Sequence, residues 1–474
     1  MHDPRPLDRS RCTRRAVCLA AVLAAAVMCA VPAASLWLSP EPDWMVEGTM
    51  TGDRLGFAVS TAGDVDGDTY ADVIVGAPFQ NSAAGNGAGV AYVFYGAPGG
   101  LSTPADWSAS GSEGGMRFGY AVAAAGDVNG DTYADIVVGT APDNKEGYAA
   151  VFLGSGGGLN ASACFTATIG QPGAHFGAAV AAAGDVNGDT YADVVVGAPL
   201  YANGQTSEGA MALFYGADPF GSGTVVSLTF ESDHSQALFG AAVGTAGDVD
   251  RDGYADVVVG APGYAGTGAI FIFYGASSGL ILTPTIIVGG QAGADFGAAA
   301  GTAGDVNADG YADVIVGAPQ YDAGDGAAFI FLGTAGGLAA TPAWIAAPGF
   351  PGAQFGAAVG TAGDVNADGY ADVVVGAPVY DNDQNEEGAA FVFQGSANGP
   401  GTDPIWHAEG NKHETLFGAA VGTAGDVNDD GCADVIVGAA WYFLQTDPKG
   451  AAFAYLGSGD APHTVYLPIV LLRW

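Results

Sequence analysis

Positive charge is the scarcest property of this 474-residue chain, which sets 12 Lys and Arg against 50 Asp and Glu for a formal net charge of −38. Five of the 12 are Arg5, Arg9, Arg11, Arg14 and Arg15, which leaves Arg54, Arg117, Lys145, Arg251, Lys412, Lys449 and Arg473 for everything downstream. So acidic a chain repels phosphodiester backbones and anionic lipid, and nucleic acid is a poor partner for it. Cysteine is nearly as rare. Cys12, Cys18 and Cys29 lie near the start, and Cys164 and Cys432 are too far apart to form a disulfide framework. The histidines after residue 100 (His175, His234, His407, His413, His463) have no zinc-ligand spacing with one another or with a cysteine.

Long apolar runs are also missing, with one exception at 16–31. It follows the five arginines and ends at the small residues Val31-Pro-Ala-Ala34, the pattern of a secretory signal peptide over 1–34. The run is shorter than the ~20 residues a membrane span needs. Leu36, Trp37 and Leu38 could extend it into an uncleaved anchor, which is the alternative. Thr13-Arg14-Arg15 hints at twin-arginine export, but a basic leader serves the general secretory route equally, and that route is the expectation. The mature protein is thus expected to be secreted or displayed at the cell surface, without a membrane span.

What the chain has in abundance is one stretch, written seven times. The cleanest copy, 355–381, reads FGAAVGTAGDVNADGYADVVVGAPVYD. The glycine of its Phe-Gly opening falls at Gly56, Gly119, Gly177, Gly240, Gly297, Gly356 and Gly418, at intervals of 57 to 63 residues. Such regularity marks a repeat architecture and overrides any domain count based on length.

Between the opening and a closing Gly-Ala-Pro lies an acidic loop. Its positions 1, 3, 5 and 9 carry Asp or Asn, and position 7 offers a backbone carbonyl. The candidate ligands are Asp64, Asp66, Asp68, Tyr70 and Asp72 in the first copy and Asp127, Asn129, Asp131, Tyr133 and Asp135 in the second. The third has Asp185, Asn187, Asp189, Tyr191 and Asp193; the fourth has Asp248, Asp250, Asp252, Tyr254 and Asp256. The fifth has Asp305, Asn307, Asp309, Tyr311 and Asp313; the sixth has Asp364, Asn366, Asp368, Tyr370 and Asp372. The seventh has Asp426, Asn428, Asp430, Cys432 and Asp434, where Cys432 still supplies a carbonyl. This spacing meets a hard cation that wants six to eight oxygens, as do the first nine positions of an EF-hand loop, but here the loop runs into a β-branched strand and not a helix. Seven copies of one ligand spacing favour calcium over a solvated turn, because the 23 carboxylates at the ligand positions would otherwise crowd together unneutralised. Up to seven structural ions are expected. Thr69, Thr132 and Thr190 stand at position 6, where the last four copies have Gly, so the first three loops are expected to turn differently or bind more weakly.

The Phe-Gly and Gly-Ala-Pro frame around an Asp-x-Asp/Asn-x-Asp loop resembles the FG-GAP repeat of the integrin α-subunit propeller, over about Asp43 to Gly457. Leu55, Thr140 and Ala440 are small departures. The resemblance implies an all-β seven-bladed β-propeller of four-stranded blades with calcium loops between strands one and two, and ligand binding on the opposite face. The propeller is expected over 42–457. Residues 43–48, which read as a fourth strand, should complete the seventh blade, since the last copy ends after its third. The tail 458–474 is left over as a competing strand, a contact with another chain or a sorting signal.

On the face away from the acidic loops, the residues before the Phe-Gly place include Arg54, Arg117 and His175 in three neighbouring copies. They form either an anion-recognising patch or charge offsets for nearby Asp53 and Glu113. Tyr201, Tyr264, Tyr321, Tyr380 and Tyr442 recur two places after the Pro position, fit either to stack on sugar rings or to pack between blades. No catalytic residue stands out. Gly275-Ala-Ser277-Ser-Gly279 fits a nucleophile elbow, yet it aligns with an ordinary turn in other copies. Asn160-Ala-Ser162 is a glycosylation sequon, and Arg251-Asp-Gly253 lies inside an acidic loop. The reading is an adhesion or ligand-binding module for an extracellular protein or glycan. A polysaccharide- or phospholipid-cleaving hydrolase working through propeller loops, and an envelope assembly protein docked by its tail, are the alternatives.

Overall fold

Seven four-stranded antiparallel sheets account for the strands in the computed structural model, which describes residues 37–220, 227–382, 384–443 and 447–459. The expected signal segment 1–34 and nearly all of the tail lie outside the described residues. Blade 1 runs Ala58–Gly63, Asp72–Ala77, Val90–Phe94 and Trp107–Ser110, each strand pairing with the next. Blades 2 to 6 repeat that order over 121–167, 179–231, 242–288, 299–346 and 358–409. Blade 7 takes Phe417–Gly425, Asp434–Ala439 and Ala451–Tyr455 from the end of the chain and Trp44–Glu47 from its beginning. Trp44 stands opposite Ala454, and Glu47 opposite Ala451. Two short 3-10 turns, Tyr264–Gly266 and Tyr321–Gly324, are the only helical segments among the described residues. The fold is a seven-bladed β-propeller.

Residue type follows position in the blade. The second strand, such as Asp372–Ala377, is buried along its whole length because a blade covers it on each side. The first strand packs against the first strands of both neighbouring blades around the axis. Seven backbones converge there, and the last six residues of each first strand are limited to Ala, Gly, Ser, Thr and Val, as in AVGTAG of 358–363. Core clusters form between blades: Ile74, Val93 and Trp107 of blade 1 meet Ile136 and Val138 of blade 2. Each such aliphatic side chain contributes roughly 1.5–3 kcal/mol through burial.

The two glycines of the signature are one contact. A Cβ on Gly317, of Gly-Ala-Pro in blade 5, would lie 1.9 Å from the carbonyl oxygen of Gly356, of Phe-Gly in blade 6. The same clash recurs between every pair of neighbours, including Gly438 of blade 7 against Gly56 of blade 1 at 2.1 Å. The repeat therefore reads as Phe-Gly and Gly-Ala-Pro because adjacent blades touch backbone to backbone at that point. At the outer strand, tryptophan clasps blade to blade. Trp107 Nε1 donates to Asn160 O (3.1 Å), Trp344 Nε1 to Gly401 O (2.9 Å), and Trp44 Nε1 to Ser102 O (3.0 Å) and Thr103 Oγ1 (2.9 Å).

Candidate metal loops and ligand face

At the end of each first strand the ladder shifts register, between Thr61 and Gly63 in blade 1 and between Thr361 and Gly363 in blade 6. The bulge bends the strand and turns the acidic loop back on itself. In blade 1, Asp64 accepts the backbone N–H groups of Gly67 (2.6 Å), Asp68 (3.1 Å) and Thr69 (2.9 Å). Asp66 Oδ1 accepts from Asp68 N (3.2 Å), and Asp68 Oδ1 from Tyr70 N (3.0 Å). The last acid, Asp72, is fully buried and accepts from Val65 N and Gly96 N, both at 2.9 Å. Blade 7 repeats the pattern: Asp434 accepts from Val427 N and Gly457 N, both at 2.8 Å.

The loops thus wrap their own amides around carboxylates and leave the charge uncompensated. Burial pushes the carboxyl of each final acid (Asp72, Asp135, Asp193, Asp256, Asp313, Asp372 and Asp434) up to about 7, and the other loop acids push the same way. A buried carboxylate beside two or three others lacks a counter-charge. Asp64, Asp66 and Asp72 bring carboxylate oxygens within 4.8 Å of one another, as do Asp248, Asp250 and Asp256. Two oxygens on one calcium ion, each at 2.3–2.6 Å, lie no more than about 5 Å apart. An all-oxygen donor set at that separation fits a hard divalent cation.

The expectation that the first three loops turn differently is not met. Position 6 has a positive φ in all seven loops: 84°, 78° and 77° at Thr69, Thr132 and Thr190, against 87–93° at Gly253, Gly310, Gly369 and Gly431. Position 4 is also left-handed throughout, at Gly67, Gly130 and Gly188 and then at Arg251, Ala308, Ala367 and Asp429. The loops have exchanged which of two strained positions receives the glycine. A β-branched residue held there costs about 1–3 kcal/mol, more than the ~0.5–1 kcal/mol of extra chain entropy that glycine loses on folding. Thr69→Gly is therefore expected to raise stability by about 1 kcal/mol, read as a higher urea midpoint at unchanged slope.

Adjacent loops are joined directly. Ala134 N donates to Asp64 O, Ala192 N to Asp127 O, and so on round to Ala71 N on Asp426 O, at 2.9–3.1 Å. Seven such bonds close a circle. The FG-GAP repeat profile matches six of these blades, over 55–94, 118–152, 176–214, 239–273, 296–331 and 355–393. The chain is an FG-GAP repeat propeller. It is 33% identical to integrin alpha-3 of Cricetulus griseus over 304 residues, covering 61% of this chain and 28% of that protein. It is 34% identical to integrin alpha pat-2 of Caenorhabditis briggsae over 231 residues, covering 44% and 18%, and 34% identical to integrin alpha-V of Gallus gallus over 218 residues, covering 43% and 20%. The matched stretch thus spans between 18% and 28% of the length of these relatives.

The first strand of each FG-GAP blade separates the acidic loop from the other face, where the residue before the Phe-Gly place has a φ of 52–57° in all seven blades. Arg54, Arg117 and His175 come together there, but not with the acids closest in sequence. Asp53 accepts from Thr49 Oγ1 (3.0 Å) and Met50 N (2.7 Å), and Glu113 pairs with Lys145 (2.9 Å). Arg117 instead forks onto both carboxylate oxygens of Asp143. The Arg54 guanidinium lies over Phe79 at 4.2 Å and Trp441 at 4.4 Å, and no acid among the described residues pairs with it. Burial, then the Arg117 charge, lowers its affinity for a proton. Burial likewise lowers His175, with Asp143 opposing and Arg117 assisting. Phe57 and Tyr120, 4.8 Å apart, extend the aromatic side of this patch. Phe79, Asp143 and Trp441 escaped the sequence reading. All three stand one place after the Pro position, in neighbouring blades 1, 2 and 7.

The tyrosine row packs inward. Tyr264 meets Phe271 edge-on at 5.3 Å, Tyr321 meets Phe329 at 6.0 Å, Tyr380 meets Phe391 at 5.8 Å and Tyr442 meets Phe453 at 5.1 Å, while Tyr201 packs on the cluster around Phe176 and Phe214. Ser277 sits in a tight turn closed by Gly279 N on Ala276 O (2.7 Å), which blade 2 repeats with Gly158 N on Ser155 O (2.7 Å). Cys164 and Cys432 are free thiols, both pushed up to about 11 chiefly by burial. They stay protonated at neutral pH and are poor nucleophiles.

Proposed function

We propose that this protein is a secreted or cell-surface calcium-binding propeller that uses the face opposite its metal loops to hold an acidic protein or glycan. Each loop would take one calcium ion through its four Asp or Asn side chains and the carbonyl at position 7, seven in all. The bound ions supply positive charge where the loops bury carboxylates, so their role is structural. The observation that carries the ligand reading is Arg54, which in a chain of net charge −38 has no acidic partner among the described residues and is held over two aromatic rings on the rim. Ordered by packing, it gives up little freedom when an anion binds. Integrin α relatives point the same way, towards an extracellular ligand.

The test is binding of the full chain to arrayed sulfated and carboxylated glycans and acidic extracellular proteins. Arg54→Ala is expected to weaken the best anionic ligand at least tenfold, about 1.4 kcal/mol. Unchanged affinity for every anionic ligand that binds the parent chain would sink the assignment of this patch.

A further inference from the structure

A second kind of acidic site stands on the rim of blade 3, outside the seven hairpin loops. Glu208, Glu231 and Asp233 each bring a carboxylate oxygen within 4.8 Å of the others. Glu208 immediately precedes the third strand, and Glu231 ends the fourth, opposite Ala210. Both lie at the end of the blade away from the Asp185 loop. Glu208 is fully buried. Its Oε1 accepts the backbone N–H of Asn203, and its Oε2 has no hydrogen-bond partner. Asn203 also donates its side-chain amide to both oxygens of Glu231 (3.2 and 3.0 Å). No Lys or Arg among the described residues pairs with any of the three acids.

Blade 6 separates frame from site. There Asn382 N donates to Glu387 Oε1 (3.0 Å) and Asn382 Nδ2 to both oxygens of Glu409 (3.3 Å each). That asparagine brace is the same, but Asn411 stands where blade 3 has Asp233, and its amide donates to Glu409 O (2.9 Å). The brace therefore serves the blade, and the third carboxylate is particular to blade 3.

A buried carboxylate oxygen with nothing to accept is costly, and two further carboxylates within 4.8 Å raise that cost unless a cation sits among them. The separation suits oxygens on one calcium ion at 2.3–2.6 Å, and the all-oxygen set selects a hard cation. We infer that Glu208, Glu231 and Asp233 form a divalent-cation site, filled by calcium, on the rim of the face that carries Arg54. It is independent of the hairpin loops: their ions could all be present or absent without deciding it.

The experiment is equilibrium dialysis of the full chain against radioactive calcium at about 1 mM, the affinity range of extracellular calcium modules. Asp233→Ala removes the side-chain oxygen of an exposed residue and leaves the buried brace intact. It is expected to bind one ion fewer per chain than the parent. Glu208→Gln should lose the same single ion, and the double variant no more than one. A parent-like ion count in Asp233→Ala overturns the site, and this holds even if Glu208→Gln fails to fold. Loss of two ions by the double variant would also overturn it, since the acids would then be serving separate sites.

Discussion

Chelation with EGTA is expected to lower the melting temperature of the full chain by roughly 11 °C, with the calcium proposed for the hairpin loops released in one transition. At about 1 mM calcium and a dissociation constant near 10⁻⁴ M, each ion would stabilise the fold by about 1.4 kcal/mol, and seven together by about 10 kcal/mol. A chain of this size shifts by somewhat more than 1 °C per kcal/mol. The transition is single because the loops are not isolated: the carbonyl of the first acid in one loop accepts the amide of Ala in the next, from Asp64–Ala134 round to Asp426–Ala71. A loop that collapses under its own carboxylate repulsion pulls on both neighbours. The measurement is calorimetry with and without chelator, beside a count of released calcium. A shift below about 2 °C would remove the structural role of the metal. Several resolved transitions would mean that the circle of loop contacts does not couple the blades.

Trp44→Ala is expected to cost about 3–5 kcal/mol, the range for emptying a buried tryptophan site, and to change the association state as well. Trp44 is 9% exposed, packs on Phe94 with ring centres 4.8 Å apart, and donates to Ser102 and Thr103 of blade 1. The four-residue strand it begins is the one place where a blade is closed by chain that is not its covalent neighbour. Once that strand detaches, Ala451–Tyr455 presents an unpaired edge, which invites pairing with a second molecule. Trp344→Ala empties a comparable clasp in blade 5, whose fourth strand stays tethered, and should cost energy without association. Urea unfolding and size-exclusion chromatography read the two effects. A Trp44→Ala chain that remains monomeric and loses under about 1 kcal/mol would show that closure does not depend on this clasp.

The architecture was legible because its signature residues are the contacts that build it. Phe-Gly and Gly-Ala-Pro recur because backbones of adjacent blades touch there, as the 1.9 Å approach of a Gly317 Cβ to Gly356 O makes plain. The acidic loops were legible as a motif, but not in their turn: Thr69 adopts a backbone that its residue type argues against. The rim of the other face was only half readable. Arg54, Arg117 and His175 could be picked by position, while their surroundings could not. Asp53 is adjacent to Arg54 in sequence and serves the 49–50 turn instead. Trp441 is far from Arg54 in sequence and covers it, because blade 7 meets blade 1 only when the circle closes. The Glu208 cluster was invisible among 50 acids; burial alone distinguishes it.

The pairing of Trp44–Glu47 with Ala451–Tyr455 also decides how the molecule answers to tension. These strands run antiparallel, and the chain leaves both at the same edge, beside Trp44 and Tyr455. A pull between residues 43 and 456 would fall on the Trp44–Ala454 rung first and then on each rung in turn, as a zip opens, with no two sharing the load.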